Sequence, residues 1–119
     1  MKYACLIYGD ETTLQKMTKE EMGKMSADSK AFHETLQKNG QFVAMHGFTG
    51  ANTATTVRVR GGKTVKTDGP FAETKEQLGG YYLVEAANLD EALEIASRIP
   101  SAEFGSIEVR PIWPTPTAP

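Results

Sequence analysis

The stretch Gly79-Gly80-Tyr81-Tyr82-Leu83-Val84-Glu85-Ala86 decides the fold. Aromatic and branched residues behind a glycine pair predict a strand. Side chains alternate along a strand, so Tyr81 and Leu83 oppose Tyr82 and Val84, and both faces are apolar. Lys2 to Tyr8 has the same character. Tyr3, Cys5 and Ile7 point one way, Ala4, Leu6 and Tyr8 the other, and Gly9-Asp10 stops the run. A sheet apolar on both sides needs two covers.

The segments around these strands predict the first cover. Thr18-Lys19-Glu20-Glu21 has the form of a capping box, and Met22, Met25, Ser29, Phe32 and Leu36 recur behind it at helical spacing. Asn39-Gly40 suits the end of that helix. Asn88-Leu89-Asp90-Glu91 starts a second helix with the inner stripe Leu89, Ala92, Leu93, Ala96 and Ile99, and Pro100 stops it. Gln41 to Thr49 and Ser106 to Ile112 read as the remaining principal strands, and Thr12 to Met17 as a polar connection. Thr55 to Arg60 and Lys63 to Thr67 flank Gly61-Gly62, a two-glycine hairpin signal. Val57, Val59 and Val65 there alternate with Arg58, Arg60, Thr64 and Lys66, which predicts one apolar and one basic face. Asp68-Gly69-Pro70-Phe71 is a turn in which Pro70 fixes the backbone and Phe71 is expected to anchor in the core; residues 72–78 read as a short helical turn.

Strand, helix, strand, hairpin, strand, helix, strand is the order of a ferredoxin-like α+β sandwich with an inserted β-hairpin. Two helices cover one face of four strands. The other face is expected to meet a second copy in a homodimer, a dimeric α+β barrel.

Composition agrees with a single globular domain over 1–113 and a Pro-rich tail over 114–119. The chain has 119 residues, 39% hydrophobic and 24% charged, with 13 basic and 15 acidic residues for a net charge of −2. That balance argues against a generally basic nucleic-acid binder. The one cysteine, Cys5, excludes an internal disulfide, and no Cys/His cluster suggests a metal or another cofactor. No apolar run approaches the ~18 residues of a membrane span. A cytoplasmic protein is expected, with no membrane partner.

Residues 66–86 read Lys-Thr-Asp-Gly-Pro-Phe-Ala-Glu-Thr-Lys-Glu-Gln-Leu-Gly-Gly-Tyr-Tyr-Leu-Val-Glu-Ala. This block resembles the signature of the DGPF proteins, a branch of the YCII-related superfamily. The similarity extends to Lys2-Tyr3, Leu6-Ile7-Tyr8, Ala54 to Arg58, Leu89 to Leu93, Ile99-Pro100 and Gly105 to Ile112. The resemblance implies a dimeric α+β barrel. It also implies two kinds of role. Some relatives are thought to be enzymes on small molecules with a His–Asp pair, one of them a dehydrochlorinase in chloroaromatic degradation. DGPF members also accompany extracytoplasmic-function sigma factors, which implies a non-catalytic regulatory or interaction module.

The candidate catalytic residues are Asp68, His46 and His33. Asp68 sits in a rigid turn, as a general base requires, although Asp before Gly is also ordinary turn chemistry. His33 and His46 are the only histidines, so any His–Asp pair uses one of them. His33 flanks the core stripe of its helix; His46 falls on the strand side of Phe42, Ala44 and Phe48, an apolar setting that favours neutral imidazole. Candidate ligand-binding residues are Arg110, Lys75, Glu73 and Tyr82. Arg110 is suited to fork a carboxylate, from a small polar or anionic ligand or from Glu85 across the sheet. Tyr8, Phe48, Tyr81 and Tyr82 are candidates to line a cavity or to fill a dimer core. Cys5 reads as a small buried hydrophobe. Arg58, Arg60, Lys63 and Lys66 form a basic hairpin without interleaved aromatics, so direct nucleic-acid binding is not expected.

Overall fold

The computed structural model describes residues 1–114. The strands are β1 (Lys2–Gly9), β2 (Phe42–Gly47), β3 (Thr55–Arg60), β4 (Lys63–Asp68), β5 (Gln77–Glu85) and β6 (Ser106–Pro111). The helices are α1 (Glu11–Gln15), α2 (Lys19–Lys38) and α3 (Leu89–Ser97), with 3-10 turns at Ala51–Thr53 and Pro100–Glu103. The architecture is α+β. β2, β5, β1 and β6 form one antiparallel sheet in that order, and β3–β4 form a separate hairpin.

The covered face carries Tyr3, Cys5, Tyr82 and Val84. They pack with Phe32 and Leu36 of α2, with Ala92, Ile95 and Ala96 of α3, and with Ile99. Leu36, Ile95, Val84 and Cys5 are wholly inaccessible to solvent. Each of the three aliphatic chains contributes about 1.5–3 kcal/mol by burial. The Phe32 ring meets Tyr82 edge-on at 5.2 Å, the arrangement that brings a positive ring edge to a negative ring face. The Thr18–Glu21 capping box forms as expected, with Thr18 Oγ1 accepting from the Glu21 N–H at 3.0 Å and Glu21 Oε1 from the Thr18 N–H at 3.0 Å. Both long helices pack on this face. The opposite face, with Ala4, Leu6, Tyr81 and Leu83, has neither.

Several expectations need correcting. Residues 12–17 are not all connection, because Asp10 accepts from the Thr12 N–H and caps the short helix α1. Residues 72–76 form bends rather than a helical turn, and β5 starts at Gln77. In α3 the buried stripe runs through Ala92, Ile95 and Ala96, while Leu89 and Leu93 stay exposed. Met22 of α2 is also exposed.

Strand register changes two faces. A bulge at Val43 separates the Phe42–Val84 pair from the Ala44–Leu83 pair. Phe42 therefore joins the covered face, whereas Ala44 and His46 lie on the open one. The hairpin pairs Val57 with Lys66 and Arg58 with Val65. Paired residues share a face, so each face mixes valine with cations instead of segregating them. The Gly61-Gly62 turn has φ of 56° and 77°, the pair of positive angles that a type I′ hairpin turn demands.

The described chain is a slab of 48 × 45 × 18 Å with a radius of gyration of 16.5 Å. A compact chain of this length has about 13–14 Å. The excess reflects a flat sheet layer with a hairpin beside it rather than in its core.

Candidate functional site

Beside the Asp68–Phe71 turn lies a cavity of about 700 Å³, within the range of small-molecule sites. Backbone bonds set its wall. Gly69 adopts φ 99°, a conformation that side chains disfavour. Its N–H donates to Ala54 O at 2.8 Å, and Thr56 Oγ1 donates to Gly69 O at 2.9 Å. Gln77 braces the next loop, its Nε2 donating to Ala72 O at 3.0 Å and to Thr74 O at 2.9 Å. Pro70, Phe71 and Ala72 line the space together with Tyr8, Phe48 and Leu78.

A second cavity of about 350 Å³ shares Tyr8, Phe48, Thr49, Gly50 and Gln77 with the first. The loop between them is clipped to α1, because the Ala51 N–H donates to Glu11 Oε1 at 2.6 Å. Asp10 lines this second space. The Thr12 hydroxyl and N–H both donate to its carboxylate at 2.7 and 3.0 Å. Those bonds, with smaller attractions from Lys75 and Lys16, hold its pKa below the ordinary carboxylate value.

The larger cavity is polar in appearance and largely satisfied in fact. Thr53 Oγ1 donates to Gly50 O at 2.7 Å, which makes Thr49 the donor in the 2.7 Å Thr49–Thr53 hydroxyl contact. Thr56 and Thr74 donate to backbone carbonyls, and both Gln77 amide bonds are made. The Tyr8 hydroxyl, the Thr55 hydroxyl and Gln77 Oε1 have no partner among the described residues. Among the described residues, no Asp, Glu, Lys, Arg or His lines this space.

The residues singled out from sequence are dispersed. Asp68 ends β4 opposite Thr55, exposed, with no hydrogen bond or ion pair among the described residues. It adjoins the cavity wall without lining it. His33 is half-buried on α2 against Phe42, ring centroids 4.3 Å apart. His46 is not enclosed: the bulge turns it onto the open face, exposed, 5.7 Å from the Tyr81 ring. Neither histidine bonds to a carboxylate among the described residues. Arg110 reaches Glu108 at 3.9 Å on the open face, and not Glu85, whose carboxylate binds the Met1 amine at 3.0 Å. Glu73 and Lys75 are exposed on the 72–76 bends. Tyr82 is in the core, though it and His46 both touch a narrow cleft of about 140 Å³.

Phe71 is the largest reversal. It is 77% exposed, not anchored in the core, and the Arg58 guanidinium carbon stands 5.3 Å from its ring centroid. Of the aromatics singled out, Tyr8 and Phe48 do line the cavity, while Tyr81 and Tyr82 do not. Sequence reasoning missed the run Thr49 to Thr56. Its signal was available as a small-residue, hydroxyl-rich segment with no apolar period. Cys5 is inert, because burial pushes its thiol up to about 11.

Residues 1–116 match the YCII-related domain family. The chain is also 40% identical over 114 residues to an uncharacterized protein of Rhizobium meliloti (strain 1021), covering 94% of this chain and 92% of that one. With the match running nearly end to end, this chain belongs to the YCII-related domain family.

Proposed function

We propose that this chain is a small-molecule-binding protein whose site is the cavity beside the Asp68–Phe71 turn. The observation that carries the reading is the coincidence of that cavity with the wall formed by Pro70, Phe71 and Ala72. This is the segment whose resemblance to DGPF proteins is most specific. In an acid/base enzyme built on the same site, Asp68 at the rim would exchange protons through one water. Lys75 and Glu73 would border the entrance, and His33, His46, Arg110 and Tyr82 would lie outside it. The absence of a histidine partner for Asp68 favours binding over acid/base catalysis.

The assembly we propose is a homodimer through the open sheet face, with ferredoxin-like sheets stacked as a dimeric α+β barrel. Ala4, Leu6, Ala44 and Leu83 supply an apolar centre, and Glu108 and Arg110 supply both charges at one side. A two-fold axis would set an arginine of one copy against a glutamate of the other.

The test is a thermal-shift screen with a metabolite library, since a ligand for the native state raises the melting temperature by mass action. Hits should vanish in Ala72→Trp, which plugs the cavity from an exposed position. Hits that survive the plug would overturn the site, and no hits would favour an interaction module of the kind that accompanies sigma factors. Asp68→Asn separates the two chemistries: it leaves binding intact in a pure binder and slows turnover by ~10²–10⁴-fold if Asp68 is the base.

A further inference from the structure

We infer that the larger cavity selects an uncharged, mainly apolar molecule, ring-shaped or of similar bulk, with one or two hydrogen-bonding groups; this rests on the cavity being the binding site.

The walls offer a ligand mostly apolar surface and few uncommitted side-chain donors. Tyr8, Phe48, Phe71, Pro70 and Leu78 supply rings and aliphatic surface. The threonines look like a polar lining, yet four of the five have already committed their protons. Thr49 donates to Thr53, Thr53 to Gly50 O, Thr56 to Gly69 O and Thr74 to Glu76 O. Both Gln77 amide bonds are spent on the 72–76 loop. Among the side chains, the donors left for a ligand are two hydroxyls, Tyr8 and Thr55, and the amide acceptor left is Gln77 Oε1.

Among the described residues, no cationic side chain lines the space. Arg58 stacks over Phe71 without entering the lining. A carboxylate or phosphate entering here would lose water and meet neither a guanidinium nor an ammonium. Burying a charge without a partner is strongly unfavourable. A neutral amide, phenol or ketone exchanges one or two water contacts for the Tyr8 and Thr55 hydroxyls and keeps its apolar body against the rings. Neutral selection therefore follows from the mostly committed side-chain donors and the lack of a lining cation among the described residues.

Benzamide and benzoate test this, because they share shape and differ in charge at neutral pH. Each is titrated into the ¹⁵N-labelled full chain while backbone amide shifts are followed. Benzamide should move the amides of Thr55, Thr56, Ala72 and Leu78 and bind at least tenfold more tightly than benzoate. Tyr8→Phe should weaken benzamide several-fold, and Arg58→Gln should leave it unchanged. Benzoate binding at these amides as tightly as benzamide would overturn the inference while leaving the site in place. Failure of both probes to move these amides would overturn the site and the inference together.

Discussion

The covered face of the sheet and the segment from Thr55 to Leu78 use similar residues to opposite ends. On the covered face, Leu36, Val84 and Ile95 are completely buried, and among the described residues no charged side chain is buried with them. In the other segment Val57 is 56% exposed and Phe71 77%. Period-two alternation is present in both β5 and β3. The difference is that α2 and α3 lie over β5, and nothing described lies over the hairpin strands. An apolar residue becomes core only when a second layer closes on it. The covered face carries stability; in the binding role we propose, the exposed segment carries recognition.

The deepest cut into this contrast is Leu36→Ala, which should cost about 2–5 kcal/mol because it opens a cavity in a closed layer. A urea midpoint unchanged from the parent would mean that α2 is not seated on the sheet. Next is Leu83→Asp on the open face. In the proposed homodimer it should weaken association at least ~100-fold, about 2.7 kcal/mol, with helical circular dichroism retained. Unaltered sedimentation would remove this face from the interface, and unfolding would show it closed by the chain itself.

Alkali tests the covered face by another route. The Cys5 thiol ionises at about 11 in the folded chain against an ordinary 9.0. An acid whose folded pKa is raised contributes fully below its unfolded pKa. That contribution should fall as pH rises from 9 to 11, by about 1.4 kcal/mol per unit. Comparing urea midpoints with Cys5→Ala across that window isolates it; parallel curves would place Cys5 in contact with water. Thr18→Ala should cost about 1 kcal/mol by removing one side of the capping box, read as a lower melting temperature. A temperature matching the parent's would mean that the box forms only in the static structure.

The smallest effect sharpens the contrast most. Phe71→Ala should change stability by less than about 0.5 kcal/mol, as exposed substitutions do, while benzamide shifts at Ala72 diminish. The same substitution in a core would cost about 3–5 kcal/mol, so a loss of that size would place the ring under cover.

Much of the scaffold was legible because its signals are local. The Thr18–Glu21 box, the Asn88 cap, the Gly61-Gly62 turn and the alternation in β1 and β5 each depend on residues within one or two turns. The Val43 bulge was not, since one extra residue in a strand leaves no composition trace and still moves Ala44 and His46 to the other face. The hairpin faces failed for the same reason. Alternation within β3 is visible in sequence, whereas the partner opposite Val57 depends on register across the turn.

The candidate site divides likewise. The Asp68–Phe71 segment was readable as a fixed turn because Gly69 and Pro70 declare unusual backbone geometry in their own identities. Its chemistry was not. Asp68, which sequence suggests as a catalytic base, and Glu73 and Lys75, which it suggests as ligand contacts, are absent from the described cavity lining. Tyr8 arrives from β1, Phe48 from the end of β2 and Leu78 from β5, so their meeting depends on two long-range strand pairings, β1 with β5 and β2 with β5.

Short-range physics in the amino-acid order therefore determined the caps, the turns, the strand periodicity and the α+β class. Tertiary structure decided which alternating face became core, where Phe71 points, and which hydroxyls lack a partner among the described residues. Those outcomes depend on layers and registers joining residues dozens of positions apart, and no local pattern encodes which partner a face or a proton will find.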